Sequence, residues 1–151
     1  MSERLESLKV LAEVAFGRLD RWMEGLTEEE LDWKSCEEAN TIRWMLTHLA
    51  YEWNILLPRF LGREVEAWPE SYVGDPSLTL ERIQRDLDKG RAIFDKGLKS
   101  LTPEVLEEEI QFFSRRTTRE YALMQVLAEV IHHGGQLAHA RGCMKRQRGG
   151  D

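Results

Sequence analysis

The chain has 151 residues, of which 42% are hydrophobic and 32% are charged, a balance typical of a globular domain rather than of a disordered chain. Its net charge of −6 and its pI near 5.3 argue against a general affinity for nucleic acid. The longest apolar runs fall far short of the roughly 18 residues of a membrane span, so we expect no membrane partner either.

Four amphipathic helices are predicted. The first three are indicated by the spacing of apolar residues and by residues that typically begin or end a helix. The first helix has apolar residues at alternating steps of three and four between residues 5 and 26. The second begins after Asn40 or Thr41, which are both competent N-caps, and ends at Pro58, which cannot continue a helix interior. The third runs from about residue 79 to about residue 100, after a stretch whose glycines and prolines are typical of a long loop.

The fourth helix is predicted to start at a capping box formed by Thr117 and Glu120. Its inward face is assigned to a stripe that is rich in small residues: Met124, Ala128, Ile131, Gly135, Ala138 and Gly142. Glycines inside a helix cost about 1 kcal/mol each relative to alanine. We therefore expect another helix to come close to Gly135 and Gly142, which would compensate for them.

No strand-like alternation competes with these patterns, so the predicted fold class is all-α, a four-helix bundle. The connections of about 15 to 20 residues exceed the usual bundle loop, and at least one of them can cross the bundle and join two parallel helices. We expect a single domain over residues 1–151, in which residues 143–151 form a partly flexible tail.

The cysteines indicate the compartment. Cys36 and Cys143 do not form a C-x-x-C pair, and the N-terminal sequence is polar, unlike a secretory signal. Reduced thiols in a cytoplasm are the simplest interpretation. We therefore expect a cytoplasmic protein.

Three of the four histidines fall within the segment EVIHHGGQLAHARG of the fourth helix. At about 100° per residue, Glu129 and His133 point the same way and lie about 6 Å apart along the axis. A pair spaced by four residues is a common way to present two metal ligands on one helix. His139 lies about 120° around the helix from His133, too far to share a small coordination sphere. His132 lies on the shoulder of the Glu129 face and is a poorer candidate ligand.

A third ligand must come from another helix, and His48 is the only other histidine in the chain. It lies among apolar residues in mid-helix, where an imidazole without a partner is costly. Two histidines and one glutamate with an open position form a catalytic-zinc arrangement that also suits other divalent ions. The spacing between Glu129 and His133 also occurs often by chance, so histidines without a bound metal remain the alternative. Glu52, one turn after His48, is either solvated or a supporting partner.

The segments LTEEELDWK, TIRWMLTHLAYEW and TTREYALMQVLAEVIHHGGQLAHAR resemble the DinB-like metal-binding four-helix bundle superfamily over nearly the whole chain. This superfamily includes mycothiol-dependent maleylpyruvate isomerases and bacillithiol transferases. Many members carry H-x-x-x-H-x-G-Q on the last helix and another histidine on the second helix. The resemblance implies that His48 and His133 are metal ligands. Glu129 stands where many relatives have histidine, and the isomerase branch is similar in using His, Glu and His.

The resemblance also implies an up-down-down-up bundle that forms a homodimer and holds a divalent ion, in the first place zinc or nickel, with iron or manganese as alternatives. Gln136 would support His133 from outside the coordination sphere. The implied activity is metal-dependent transfer of a low-molecular-weight thiol to a small electrophile held near Trp44 and Tyr51. Two alternatives stay open: a metal-water hydrolase with Glu52 as base, and a non-enzymatic homodimer in which the ion is structural.

Overall fold

The computed structural model describes residues 2–149, and within them the chain is mainly helical. The helices are α1 (Glu3–Met23), α2 (Ile42–Tyr51), α3 (Leu57–Phe60), α4 (Leu80–Leu98), α5 (Pro103–Glu107) and α6 (Arg119–Arg148). A π-helical turn, Glu52–Leu56, joins α2 to α3, and single 3₁₀ turns lie at Glu28–Glu30 and Glu70–Tyr72. Two antiparallel strands, β1 (Glu109–Phe112) and β2 (Arg115–Thr118), precede α6. None of the described helices combines the length and the apolar character needed to cross a membrane.

Hydroxyl side chains begin the four long helices, as the sequence predicts for the second and, one residue away, for the fourth. Ser2, Thr41 and Thr79 each accept the backbone N–H three residues on, at the starts of α1, α2 and α4. Thr118 does the same for α6, whereas Thr117 was predicted to do so. α6 therefore begins one residue later than predicted, directly after Thr118, which is the last residue of β2.

Parallel packing joins α2 and α3 to α4. Near the start of the pair, the Asn54 side chain donates to the backbone carbonyl of Asp86 over 2.8 Å. About two turns further along α2 and α3, and about three turns further along α4, the absent side chain of Gly97 leaves room for Leu61. Both residue numbers rise together along the contact, so the two helices run in the same direction. The loop between residues 61 and 79 crosses the bundle to connect them.

α1 and α6 are also parallel. Arg4 donates to Glu120 over 3.1 Å at one end, and Arg141 donates to the carbonyl of Trp22 over 2.7 Å at the other. α6 runs antiparallel to α2 and α3, because Arg119 at its start donates to the carbonyl of Phe60, while His133 later in α6 lies against Trp44 near the start of α2. The result is an up-down-down-up four-helix bundle, which confirms the predicted fold class.

The helix that starts at Ile42 continues past Pro58, which the sequence suggests as its end. The wide π-helical turn Glu52–Leu56 absorbs one residue of the backbone register just before the proline. Pro58 then lies in the first turn of α3, where its missing N–H leaves no intrahelical bond unmade. The continuous helical segment that begins at Ile42 therefore ends at Phe60 rather than at Pro58.

The predicted inward face of α6 is wrong. Met124 is 45% exposed, and a Cβ atom built at Gly135 would have no other atom within 4 Å. The buried residues lie on another face: Ala122, Leu123, Val126, Leu127, Val130, His133, Gly134, Leu137, Ala140, Arg141 and Met144. This face is wide because α6 packs against α1 on one side and α2 on the other. The helix also continues through residues 143–148, while residues 150–151 of the expected flexible tail lie outside the described residues, so that flexibility stays a prediction.

The hairpin contradicts the expectation of a chain without strands. Each strand has only four residues, which is too short for alternation to stand out. Ile110 and Phe112 are half-buried, and the ring of Phe112 lies 5.4 Å from that of Phe60 between centroids. The turn places Phe113 at a φ of 51°, in the left-handed region that only a few per cent of non-glycine residues occupy. The hairpin thus brings aromatic side chains over the end of α3.

Arg141 should contribute strongly to stability because it closes the C-terminal end of α1. Its buried guanidinium donates to the carbonyls of Trp22 and Glu24 over 2.7 and 2.8 Å, and lies 3.5 Å from the Glu30 carboxylate. Arg141→Met leaves these acceptors without their donors, so we expect a loss of about 2–3 kcal/mol in the free energy of unfolding. Urea denaturation measures it, and Arg148→Met, at an exposed site on the same helix, should change it by less than about 0.5 kcal/mol.

Candidate metal centre

The three residues singled out from the sequence meet between α2 and α6. His48, Glu129 and His133 each offer one ligand atom, and these atoms all lie within 4.8 Å of one another. On α6, the spacing of four residues brings Oε2 of Glu129 to 3.2 Å from Nε2 of His133. The ring of His48 faces that of His133 with 4.8 Å between centroids. The antiparallel packing of α2 on α6 produces this meeting.

Gln136 holds His133 in the orientation that a metal ligand requires. Its side-chain oxygen lies 2.8 Å from Nδ1 of His133, which is 7% exposed. An amide oxygen accepts hydrogen bonds, so the ring proton belongs on Nδ1, and the lone pair of Nε2 points to Glu129 and His48. Gln136 lies one turn further along α6, at the position expected for a supporting residue.

Trp44 forms one wall of the site. Its ring stacks on that of His48 at 4.8 Å between centroids and 10° between planes, and it meets the His133 ring edge-on at 5.9 Å. The crossing loop covers Trp44 from outside, where a Cβ atom at Gly74 would come within 3.3 Å of the Trp44 ring. Trp44 therefore restricts the orientation of His48 and lines the site, as the sequence suggests.

Glu52 lies one turn after His48, with Oε1 at 3.5 Å from Nε2 of the imidazole. It is 9% exposed, and its Oε2 is buried without a hydrogen-bond partner. Burial, and then the negative charge of Glu129, raise the pKa of Glu52 to about 8. Burial, and then the charge of His133, lower the pKa of His48, which Glu129 opposes in part. Because His48 is therefore neutral at neutral pH, its lone pair is available to a metal ion.

The raised pKa of Glu52 predicts a stability that depends on pH in the metal-free protein. The protonated carboxyl favours the folded state fully below pH 4.5, and this contribution is lost as the pH rises through about 8. Glu52→Gln should thus stabilise the chelator-treated protein by up to about 4 kcal/mol well above pH 8 and change little near pH 4.5. Urea denaturation at both ends of this range measures it. An equal effect at both pH values would contradict the prediction, and the exposed Glu81→Gln serves as control.

Two residues proposed from the sequence lie away from the three candidate ligands. The ring of Tyr51 packs near Trp68 and Tyr72, with 6.5 Å between centroids in each pair. His132 is exposed and lies 3.3 Å from Nε2 of Gln136, facing a separate groove. The geometry therefore favours Glu129 over His132 as a partner of His133.

A cavity of about 260 Å³ opens beside the three candidate ligands. Its polar end is formed by His48, Glu52, Gln125 and Glu129. Its apolar wall is formed by Leu56, Phe60, Phe112, Phe113 and Val126. The two residues from the hairpin were missed in the sequence, although Ile110, Phe112 and the threonines of RRTT are strand-forming residues that could have indicated it. Larger grooves lie elsewhere, such as one of about 570 Å³ between α1 and α4, but within residues 2–149 they contain no comparable group of donors.

The donor set fits a divalent transition metal ion. It combines two imidazole nitrogens with one carboxylate oxygen, the set found in catalytic zinc sites of the His₂Glu type. The tautomer of His133 and the neutrality of His48 suit this role, and the cavity leaves one side open to a further ligand.

The sequence model that describes the DinB superfamily matches residues 11–137, which is most of the chain. The chain belongs to the DinB superfamily. This confirms the family suggested by the sequence, and the bundle topology agrees with it. No curated protein sequence matches this DinB chain.

Solved structures share the bundle at low sequence identity. A conserved protein from Enterococcus faecalis has a TM-score of 0.76 at 15% identity, over 95% of this chain and 97% of that one. A mycothiol-dependent maleylpyruvate isomerase has a TM-score of 0.70 at 18% identity, over 91% of this DinB chain but only 63% of the isomerase. YfiT from Bacillus subtilis, described as a probable metal-dependent hydrolase with an unusual four-helix bundle topology, has a TM-score of 0.59 at 22% identity over 97% and 90%. These likenesses show the shared fold.

Proposed function

We propose that this DinB protein binds one divalent metal ion through His48, Glu129 and His133 and transfers a low-molecular-weight thiol to a small electrophile. The observation that carries the proposal is the convergence of three donor atoms within 4.8 Å beside an open cavity. Zinc or nickel suits two imidazoles and a carboxylate, and iron or manganese are the alternatives. When bound, such an ion lowers the pKa of a coordinated thiol or water molecule.

The chain's own residues divide the remaining work. Gln136 fixes His133, and Trp44 fixes His48 by stacking. Glu52 presents a buried carboxyl oxygen without a partner among the described residues. A divalent ion held beside it would favour the ionised carboxylate, which is able to accept the proton that a thiol releases. The apolar wall excludes water and holds the electrophile. The thiol dependence named for the structurally similar isomerase supports this choice of reaction.

Hydrolysis is the second candidate function. It is favoured by the free Oε2 of Glu52, which can serve as general base for a water molecule, and by the description of YfiT as a probable hydrolase. The third candidate is a structural ion that ties α2 to α6 without catalysis. Of these three functions, only thiol transfer requires a thiol to reach the ion.

Cobalt-substituted protein tests the three candidates. We expect addition of a small thiol such as mercaptoethanol to change the visible absorption of bound cobalt, because the thiolate becomes a ligand. His48→Ala, which should bind no cobalt, is the control. A spectrum that thiols leave unchanged would contradict thiol transfer. Ester or amide cleavage by the same sample would then support hydrolysis, and the absence of both would support a structural ion.

We further propose that the protein is a homodimer in a cytoplasm, with small molecules as its other partners. Val10 and Val14 on α1 and Met124 on α6 are 49%, 43% and 45% exposed, and a second copy would cover such residues. Both cysteines are free, which suits a reducing compartment. Sedimentation at micromolar concentration measures the oligomeric state, and a persistent monomer would contradict the dimer.

A further inference from the structure

The cavity beside the candidate metal centre has an uneven distribution of charge. Two carboxyl groups, those of Glu52 and Glu129, line its polar end, while no lysine or arginine is among its lining residues. Two arginines near the aromatic wall lie outside the lining and already have partners. Arg119 donates to the Phe60 carbonyl and pairs with Glu108 at 2.7 Å, and Arg115 lies 4.8 Å from the Tyr121 ring and 5.8 Å from the Phe112 ring. The cavity therefore offers carboxyl oxygens, and no cationic side chain of its own lining, to whatever binds in it.

Glu52 is the group that most needs a ligand. It is 9% exposed, and its Oε2 has no hydrogen-bond partner. A buried acceptor left unpaired costs about 1–3 kcal/mol. A ligand with an N–H group at this end of the cavity would remove the cost. If His48, Glu129 and His133 hold an ion, Glu129 is engaged, and Glu52 remains for the ligand.

Three phenylalanine rings complete the surroundings. Phe60 is buried at the end of α3, and Phe112 packs on it from the hairpin. Phe113 is 66% exposed although it lines the cavity, so it lies at the opening. Aromatic faces attract cations through their quadrupole, and rings grouped around a carboxylate form a cage for ammonium groups.

We propose that this cavity binds the ammonium-bearing, apolar end of a small amine, with Glu52 as the partner of the ammonium group and Phe60, Phe112 and Phe113 as its aromatic surroundings. The inference rests on the proposed function, because it specifies the class of small molecule that the same site receives. Without a metal ion, a carboxylate finds no cationic partner in the lining, and a neutral ligand of the same shape gains the apolar contacts alone. The volume of about 260 Å³ suits a group of the size of benzylamine.

Calorimetric titration with three probes of similar shape tests the proposal: benzylamine, benzyl alcohol and benzoate. We expect benzylamine to bind at least about tenfold more tightly than benzyl alcohol, in chelator-treated as well as zinc-loaded protein. Benzoate should bind least in chelator-treated protein, where no ion can coordinate it. Glu52→Gln should reduce benzylamine to the affinity of benzyl alcohol and leave the alcohol unchanged. Glu38→Gln, in the groove that His132 faces, is the matched control and should change neither affinity.

Aromatic variants test the other half of the cage. Phe112→Ala should weaken benzylamine by about tenfold and benzyl alcohol by less, because only the amine loses a cation–aromatic contact together with the apolar one. If this variant does not fold, Phe113→Ala at the exposed position should weaken benzylamine more than the alcohol. Binding of benzylamine that neither aromatic variant weakens would overturn the proposal.

Three further outcomes would overturn it: benzoate binding as tightly as the amine in chelator-treated protein, an amine preference that survives Glu52→Gln, and a preference seen only with zinc, which would mean direct coordination. Zinc content and the response of bound cobalt to thiols, measured on the same sample, separate the two hypotheses. If the thiol response holds and the amine preference fails, only this inference is wrong. If the amine binds but the protein takes up no metal, the proposed function is wrong.

Discussion

His133→Ala should remove the bound metal ion and, with it, the part of the melting temperature that a chelator abolishes. His133 is the most buried of the three candidate ligands and is oriented by Gln136, so its loss leaves two donors on different helices. A ligand that binds only the folded chain stabilises it by about 4 kcal/mol at a concentration 1,000 times its Kd. Elemental analysis and melting curves with and without a chelator measure both effects, and His48→Ala should behave in the same way.

His132→Ala and His139→Ala are the matched controls, since both are exposed histidines of the same helix that lie outside the group of donors. They should keep about one metal ion per chain. Loss of metal in His132→Ala together with full binding in Glu129→Ala would show that the ligands lie on the neighbouring face of α6.

The stabilisation that bound metal provides should become smaller as the pH falls. The pKa of His48 is lowered from 6.5, chiefly by burial, so the folded chain takes up this proton only at a pH below that value. The unfolded chain is protonated first, and stability therefore falls as the pH drops through 6.5. At still lower pH, protons compete with the metal for His48. The chelator-sensitive shift should be smaller at about pH 5.5 than at about pH 7.5, and an equal shift would contradict a site built on imidazoles.

The second large effect is expected at Gly134 and Gly135, two adjacent glycines of α6. Substitution by alanine should change the stability of the protein in opposite directions at the two positions. A Cβ atom at Gly134 would lie 2.2 Å from Cζ3 and 2.5 Å from Cε3 of the Trp22 ring, so the indole between α1 and α6 must move. Gly134→Ala should destabilise the protein by about 3 kcal/mol, at the upper end for overpacking. Gly135→Ala meets nothing within 4 Å and should stabilise it by up to about 1 kcal/mol.

Urea denaturation of the two alanine variants provides the comparison, because they differ only in which of two neighbouring positions carries the methyl group. Adding Trp22→Leu to Gly134→Ala should recover part of the loss, since the smaller side chain gives way. If both alanine variants unfold alike, the contact between Trp22 and Gly134 is not as the structure has it.

The sequence predicted the parts of the fold that depend on local chemistry. Thr41 caps the second helix, and the spacing of four residues placed Glu129 and His133 on one face of the last helix. His48 was identified because it is a histidine among apolar residues, and the resemblance to the DinB superfamily supplied the topology. Whether these three residues hold a metal ion remains a prediction.

The remaining features depend on tertiary contacts that spacing does not reveal. The buried face of α6 was misassigned because two adjacent glycines, Gly134 and Gly135, fit two different stripes, and only the position of Trp22 decides between them. Pro58 was expected to end a helix because a π-helical turn before it has no local signal. The short hairpin is defined largely by the packing of Phe112 against Phe60.

The pairing of the first helix with the last has a consequence for synthesis on the ribosome. Arg4 and Glu120 are separated by 116 residues, and Trp22 and Arg141 by 119, whereas Asn54 meets Asp86 after only 32. α2 and α4 can therefore pair while the chain is still growing, but the contacts of α1 with α6 must wait. At about 5–20 residues per second, synthesis of the 116 to 119 residues between these partners takes about 6–24 s. During this time the leucines that α1 will bury against α6 are exposed to other nascent chains. Although α1 is synthesised before the other helices, it is the one that completes its packing last.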